Sequence, residues 1–197
     1  MSLTPEEAAF FVKGAADGDR AAWESLVDAY GGLIWAITRN HRLLQGDAAD
    51  VSQTTWLRLL ENIDRLNDPG RVGAWLATTA RRECLRLSAR RKRTVLVADD
   101  RDLEIDPLHA QAAAELDDGL LVAERDEALR AAFETLNPRC RELLRLMLLD
   151  PAPSYEEISA ALDMPVGSIG PTRGRCLDKL RALVKDSGID SASARSL

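Results

Sequence analysis

The sequence predicts an all-α protein, built as two small helical domains joined by a flexible acidic linker. Three observations point there. Ala, Leu, Arg and Glu dominate the 197 residues, while strand-favouring residues are few. Apolar residues recur at spacings of three, four and seven over most of the chain. One stretch, Thr94 to Ala128, loses that rhythm and carries eleven acids against two basic residues, Arg101 and Arg125, so it reads as a spacer rather than a packed element.

Taken in order, Thr4-Pro5-Glu6-Glu7 is a helix start. Thr4 caps, Pro5 takes the first helical position and Glu7 completes a capping box. This helix is expected to end near Gly14 to Asp17. Asp19 caps the next, which places Trp23, Leu26, Val27 and Tyr30 on one face. Gly31-Gly32 is expected to interrupt it, after which Leu33, Ile34 and Ile37 continue a buried face. Asp47 is expected to cap a third helix whose apolar stripe is Trp56, Leu59, Leu60 and Ile63. Asp50, Gln53, Thr54, Arg58 and Glu61 fall largely on its other faces.

Asn67-Asp68-Pro69-Gly70 marks a loop over Arg65 to Gly70. The following helix, about Arg71 to Arg91, has Val72, Leu76, Ala80, Cys84 and Leu87 as its buried stripe. Trp75, Thr78, Thr79, Arg82 and Arg86 lie beside that stripe. From Arg81 to Arg93 there are seven Arg or Lys and one acid, Glu83, which points to an anionic partner. A basic groove with a stacking ring suits single-stranded nucleic acid. Trp75 is read equally well as that ring or as core filling.

After the acidic spacer a helix is expected from roughly Asp118 to Leu136. Asn137-Pro138 then caps one carrying Cys140, Leu143, Leu144, Met147 and Leu148, and Pro151 and Pro153 stop it. Ser154 and Glu157 form a second capping box ahead of Ile158, Ala161 and Leu162. Asp163-Met164-Pro165-Val166-Gly167 breaks the pattern, and Ser168 is expected to cap a last helix. That helix has an apolar stripe of Ile169, Cys176, Leu177, Leu180, Leu183 and Val184. Its other face carries Thr172, Arg173, Arg175, Lys179 and Arg181. A short apolar helix, a tight turn and a basic-faced helix is the layout of a helix-turn-helix, whose second helix enters the major groove of duplex DNA.

The formal net charge of −6 argues against a nucleic-acid coat protein, and the charges are segregated into a basic and an acidic block that imply different partners. Cys84, Cys140 and Cys176 are far apart and odd in number. No C-x-x-C pair or Cys/His cluster is present, so no metal is expected and each cysteine reads as a small core residue in a reduced setting. Glu6 and Glu7 stand where a secretory signal would be positive, and no apolar run approaches the ~18 residues of a membrane span. A cytoplasmic location follows as an expectation. His41 and His109 are isolated, and no nucleophile, metal cluster or phosphate loop accompanies them; neither an enzyme, a small-molecule substrate nor a cofactor is expected.

The chain resembles the extracytoplasmic-function (ECF) sigma factors of bacterial RNA polymerase. The residues that carry the resemblance are GDRAAWESLVDAYGGLIWAI, DAADVSQTTWLRLLENIDRL, GAWLATTARRECLRL, LNPRCRELLRLMLL and SYEEISAALDMPVGSI. The most specific is D-A-x-D-V-x-Q-x-T-W-x-R-L, followed by A-W-L about twenty residues on. The resemblance implies a region 2 domain over 1–93, the acidic linker over 94–118, a region 4 domain with the helix-turn-helix over 119–186, and a flexible tail over 187–197.

It also implies roles. Asp47, Asp50, Val51, Gln53, Thr54, Trp56, Leu57 and Arg58 match the segment that docks on the polymerase β′ subunit; the core enzyme, β′ and β, is thus the expected partner together with promoter DNA. Trp75, Thr78, Arg81, Arg82, Arg86 and Arg90 match the part that opens and reads the −10 element. Ser168, Thr172, Arg173, Arg175 and Lys179 match the reader of the −35 element. The linker matches a segment that threads toward the active-site channel as a nucleic-acid mimic, and an anti-sigma protein covering both domains is a further expectation. There are departures. Family members often carry Asn at Arg82 and Asp or Asn at Arg86, and Gly170, Pro171 and Gly174 stand where longer side chains are common. These leave both promoter sequences open. Pro171 is expected to lie in the first turn of its helix, where backbone donors are free anyway. The alternative is an autonomous helix-turn-helix regulator, which would need neither the docking segment nor the basic Trp75 helix.

Overall fold

The computed structural model describes residues 3–41, 43, 45–95, 127 and 129–186, all in helices, turns and connecting segments. The helices are α1 (Pro5–Ala16), α2 (Arg20–Asn40), α3 (Gln45–Asn62), α4 (Val72–Val95), α5 (129–135), α6 (Pro138–Met147), α7 (Tyr155–Leu162) and α8 (Val166–Asp186). Two 3-10 turns, Ile63–Arg65 and Pro69–Arg71, make the connection from α3 to α4. The all-α class read from the sequence is the class observed. The linker from residue 96 on, and with it the mimic role, lies outside the described residues, as does the tail 187–197.

The chain packs as two compact units. One is Met1–Ile105 with Arg145–Ile169, and the other is Asp106–Leu144 with Gly170–Leu197. Packing thus groups α7 with the N-terminal helices, whereas sequence order places it within 119–186.

In the first unit the capping chemistry is as the sequence predicts. The Glu7 amide donates to Thr4 Oγ1 at 3.2 Å, and the Thr4 amide donates to Glu7 Oε2 at 2.8 Å. Asp19 Oδ1 accepts from the Ala21 amide at 2.9 Å. The core of this unit is built from Leu26, Ile34 and Ile37 of α2, Leu59 of α3, and Val72, Leu76, Ala77, Ala80 and Cys84 of α4, all buried. Two buried hydroxyls within it stay satisfied, Thr38 on the Trp35 carbonyl and Thr55 on the Val51 carbonyl. Full burial of one Leu or Ile contributes roughly 1.5–3 kcal/mol.

That burial explains the first correction. α2 runs unbroken through Gly31-Gly32. Each glycine costs a helix about 1 kcal/mol, but Leu33, Ile34 and Ile37 beyond them are buried, and that gain exceeds the cost. α3 begins at Gln45, so Asp47 lies inside its first turn rather than capping it. Leu60 leaves the expected stripe: it is exposed, while Val51, Thr55, Leu59 and Ile63 face inward. The register is set by Val51, which the stripe as read from Trp56 onward leaves out.

The second unit has its own apolar cluster of Leu136, Cys140, Leu144 and Cys176, with Phe133, Leu177, Leu180 and Leu183 packed against it. Cys140 and Cys176 are bonded to each other as a disulfide, with Cα atoms 5.4 Å apart. The expectation of separate core cysteines is corrected: both are core residues, yet the packing of α6 against α8 brings together two positions 36 apart in sequence. Cys84 is the free, buried cysteine among the described residues, with its thiol pushed up to about 12 by burial.

Candidate nucleic-acid interface

Helix α4 runs for 24 residues, and its apolar positions repeat at helical spacing from Val72 to Leu87, about four turns. Val72, Leu76, Ala80 and Cys84 turn inward and Leu87 is half-buried. This fixes where the basic residues point. Arg82, Arg86 and Arg90 are exposed, Arg81 is partly enclosed, and Trp75 and Thr78 are half-buried beside them. The ring of Trp75 has one foot in the core and one at the surface. The Thr79 hydroxyl donates to the Trp75 carbonyl at 2.8 Å, which takes Thr79 out of the surface set.

The basic face is largely met by carboxylates. Arg86 pairs with Glu83 at 2.7 Å, one turn away, and Arg58 of α3 approaches the same carboxylate at 4.0 Å. Arg91 pairs with Asp47. Arg71 pairs with Glu156 at 2.9 Å and Arg81 with Asp163 at 2.5 Å. The last two acids belong to α7 and its C-cap, 85 and 82 residues away in sequence; periodicity carries no signal for such pairs. His41, isolated in the sequence, lies close enough to this face that burial first and the Arg81 charge second lower its pKa.

The docking segment on α3 divides by burial. Asp50, Gln53, Leu57 and Arg58 are exposed, and Leu60 and Glu61 add to the same outer surface. Thr54 and Trp56 are half-buried, and the Trp56 ring packs edge-on against Trp23 at a centroid distance of 5.8 Å. Val51 is buried and Asp47 is held by Arg91, so neither is free to touch a partner. Exposed Leu57 and Leu60 are the part of this surface that sequence reading places least well, since an apolar residue on a helix is assigned inward by default.

At the helix-turn-helix, α7 starts at a complete capping box: Ser154 Oγ accepts from the Glu157 amide and Glu157 Oε2 from the Ser154 amide. It ends at Asp163 in the left-handed region, φ 52°. The buried Met164 follows, its carbonyl accepting the Ser159 hydroxyl at 2.6 Å. Ser168 is not the cap of α8. The helix begins at Val166, and the Ser168 amide and hydroxyl both bond the Pro165 carbonyl. Pro165 supplies a φ already suited to the turn, so α8 starts two residues before the expected cap. The earlier start moves Pro171 past the first turn and into the helix interior. There it leaves the Gly167 carbonyl without its usual donor. Gly170 in front of it has no Cβ to meet the proline ring, which lowers the cost of helical backbone before proline. Arg173, Arg175 and Lys179 are exposed, Thr172 is partly so, and Arg175 donates to the Thr172 hydroxyl at 3.1 Å.

Among the described helices none is long and apolar enough to cross a membrane.

Comparison with known proteins bears on the site directly. The sequence profile of Sigma-70 region 2 matches residues 26–94, which take in most of α2 and nearly all of α4 with its basic face. The chain is 28% identical over 184 residues to the ECF RNA polymerase sigma factor SigE of Mycolicibacterium smegmatis, covering 91% of this chain and 69% of that protein. Two solved structures share the fold. CnrH, in complex with the cytosolic domain of CnrY, gives a TM-score of 0.54 at 22% identity, over 91% of this chain and 98% of that one. The sigma factor RpoE, in complex with the anti-sigma factor NepR from Bartonella quintana, gives 0.58 at 21% identity, over 83% and 96%. A regulator acting alone would have no use for region 2. The region 2 match over the basic helix and the likeness to SigE along 91% of the sequence agree: residues 26–94 form a Sigma-70 region 2 domain, and the chain as a whole is similar to an ECF RNA polymerase sigma factor.

Proposed function

We propose the following division of labour among its residues. Asp50, Gln53, Leu57 and Arg58 on the outer face of α3, with Leu60 and Glu61, dock on core polymerase through β′. Asp47, Val51, Thr54 and Trp56 hold that face in shape from within. Arg81, Arg82, Arg86 and Arg90 of α4 bind the phosphates of the opened −10 strand, and Trp75 and Thr78 meet its bases. Extruding a base from the duplex costs a few kcal/mol, which stacking on an aromatic ring and phosphate contacts offset. Thr172, Arg173, Arg175 and Lys179 of α8 read the −35 element in duplex DNA, with Ser168 in the first turn setting where the reader begins. An Arg bidentate to guanine discriminates by about 1–3 kcal/mol.

In domain terms, 1–93 is the region 2 domain, 94–118 the connecting linker and 119–186 the region 4 domain. The chain works in the cytoplasm and carries no catalysis of its own; the polymerase makes the bonds. An anti-sigma protein is a natural regulator, since the structural relative RpoE is held by the anti-sigma factor NepR.

The observation that carries this reading is the outward face of α4, where Arg82 and Arg86 project from a helix anchored by Val72, Leu76 and Cys84. The test is transcription with core polymerase and a promoter-bearing genomic library, with start sites mapped. The expected result is a set of starts that appears only with this protein added. No polymerase binding and no specific starts would overturn the reading.

A further inference from the structure

The turns of α8 that carry its basic residues are a poor helix by sequence. From Gly167 to Gly174 there are three glycines and Pro171 in eight residues, and these are the weakest helix formers. Sterics do not require the last of them: a Cβ on Gly174 would meet nothing within 4 Å. The order of Thr172, Arg173, Arg175 and Lys179 therefore comes from what lies beneath them. That is a small cluster, Leu136, Cys140, Leu144 and Cys176, with Phe133, Leu177, Leu180 and Leu183 packed against it. Within it the Cys140–Cys176 bond ties α6 to α8, with Cα atoms 5.4 Å apart. Cys176 falls inside the same two turns as the basic residues.

A cytoplasm keeps thiols reduced, and disulfides there are as a rule transient or redox-sensing. We infer that Cys140 and Cys176 are a reversible oxidation site that sets −35 binding: the disulfide form holds α8 ready for duplex DNA, and the dithiol form lets its reading turns fray. This inference rests on the −35 role of α8 and the cytoplasmic setting given above. The oxidant is a low-molecular-weight disulfide of the glutathione class. One cysteine, as its thiolate, attacks the oxidant, forms a mixed disulfide and expels one thiol; the second cysteine then displaces the other. Two electrons and two protons pass from the pair to the oxidant, which leaves as two thiols, and a thiol reductant reverses both steps. Both cysteines are buried, so exchange proceeds through openings of the cluster. Cys84, buried and with its thiol pushed up to about 12, stays protonated and does not exchange with the pair.

The test uses the full chain with core polymerase, equilibrated at set ratios of oxidised to reduced glutathione, on a promoter found by the start-site mapping above. Free thiols are counted by alkylation and mass spectrometry, and −35 occupancy is read by footprinting. Affinity for the −35 region should fall about five- to tenfold from the disulfide to the dithiol form, as for a reader whose competent population drops by that factor. The fall should track the fraction alkylated. Gly174→Ala, which strengthens the helix without crowding it, should shrink the difference between the two forms to about two- to threefold. With Cys140→Ser and Cys176→Ser the affinity should stay at the dithiol level at every ratio; the titration of the parent chain decides the matter without this variant. Equal −35 affinity in both forms, with Arg173→Ala and Lys179→Ala together weakening it, overturns the inference and leaves the −35 role standing. So does a pair that stays in one state at every ratio, or tighter binding by the dithiol. Arg173→Ala and Lys179→Ala together without effect on −35 occupancy overturns the role of α8 and the inference with it.

Discussion

Two basic helices, α4 and α8, carry the residues proposed to face DNA, and they are built differently. Two cations of α4, Arg91 and Arg81, and Arg71 just ahead of it are countered by carboxylates from elsewhere in the fold, Asp47, Asp163 and Glu156, while Arg86 pairs with Glu83 one turn away. Among the described residues those of α8 meet partners on the same helix, Arg175 with Thr172 and Arg181 with Asp178, each one turn away. The frames differ as well. α4 is anchored by a stripe of aliphatic side chains, α8 by a smaller cluster centred on the Cys140–Cys176 bond. The basic face of α4 is thus part of an ion-pair network that spans several helices, while the basic face of α8 depends on the frame beneath it.

This contrast can be broken from the α8 side first. In the chain-entropy account, closing a loop of 36 residues stabilises by about 3–4 kcal/mol. Adding a reductant, or replacing Cys140 and Cys176 by Ser, should lower the stability of the second unit by about that much in a urea titration. The signal of the four tryptophans, Trp23, Trp35, Trp56 and Trp75, all in the first unit, should move little. Loss of the tryptophan transition under reductant would show that the units do not differ in this way. From the α4 side, Leu76→Ala leaves a cavity under the basic face and should cost about 3 kcal/mol. Its transition should shift equally with and without reductant. The smallest effect sharpens the α7 contact. Ser154→Ala removes half of a capping box, worth about 1 kcal/mol. It should loosen α7 as read by faster amide exchange at Ile158, with the exchange at Leu76 unchanged.

Local grammar was legible in the residues. Thr4 with Glu7, Ser154 with Glu157, Asp19 and Asn137 cap as read, because a cap is a contact within three residues. The inward stripe of α4 followed from spacing alone. Misreadings arose where tertiary packing overrode a local rule. Burial beyond Gly31-Gly32 carried α2 through two glycines, and Pro165 started α8 ahead of Ser168. Partners distant in sequence were invisible. Nothing around Arg81 announces Asp163, and nothing around Cys140 announces Cys176, since those pairings depend on how helices pack. The outer face of α3 was half legible. Its polar members Asp50, Gln53 and Arg58 were placed by period, whereas exposed Leu60 was assigned to the core by its chemistry.

The division of labour between the two helices is tested most directly by pairing two double variants in the holoenzyme. Arg82→Ala with Arg86→Ala is compared with Arg173→Ala with Lys179→Ala. Open-complex formation is read by permanganate reactivity of the −10 strand, and duplex binding by footprinting of the −35 region. The account predicts that the α4 pair lowers strand opening by about tenfold, with −35 binding little changed. The salt dependence of opening should flatten by about one unit of log-log slope for each phosphate no longer neutralised. The α8 pair should weaken −35 binding and leave opening intact on a template melted in advance. Equal losses from both pairs in both assays would contradict it.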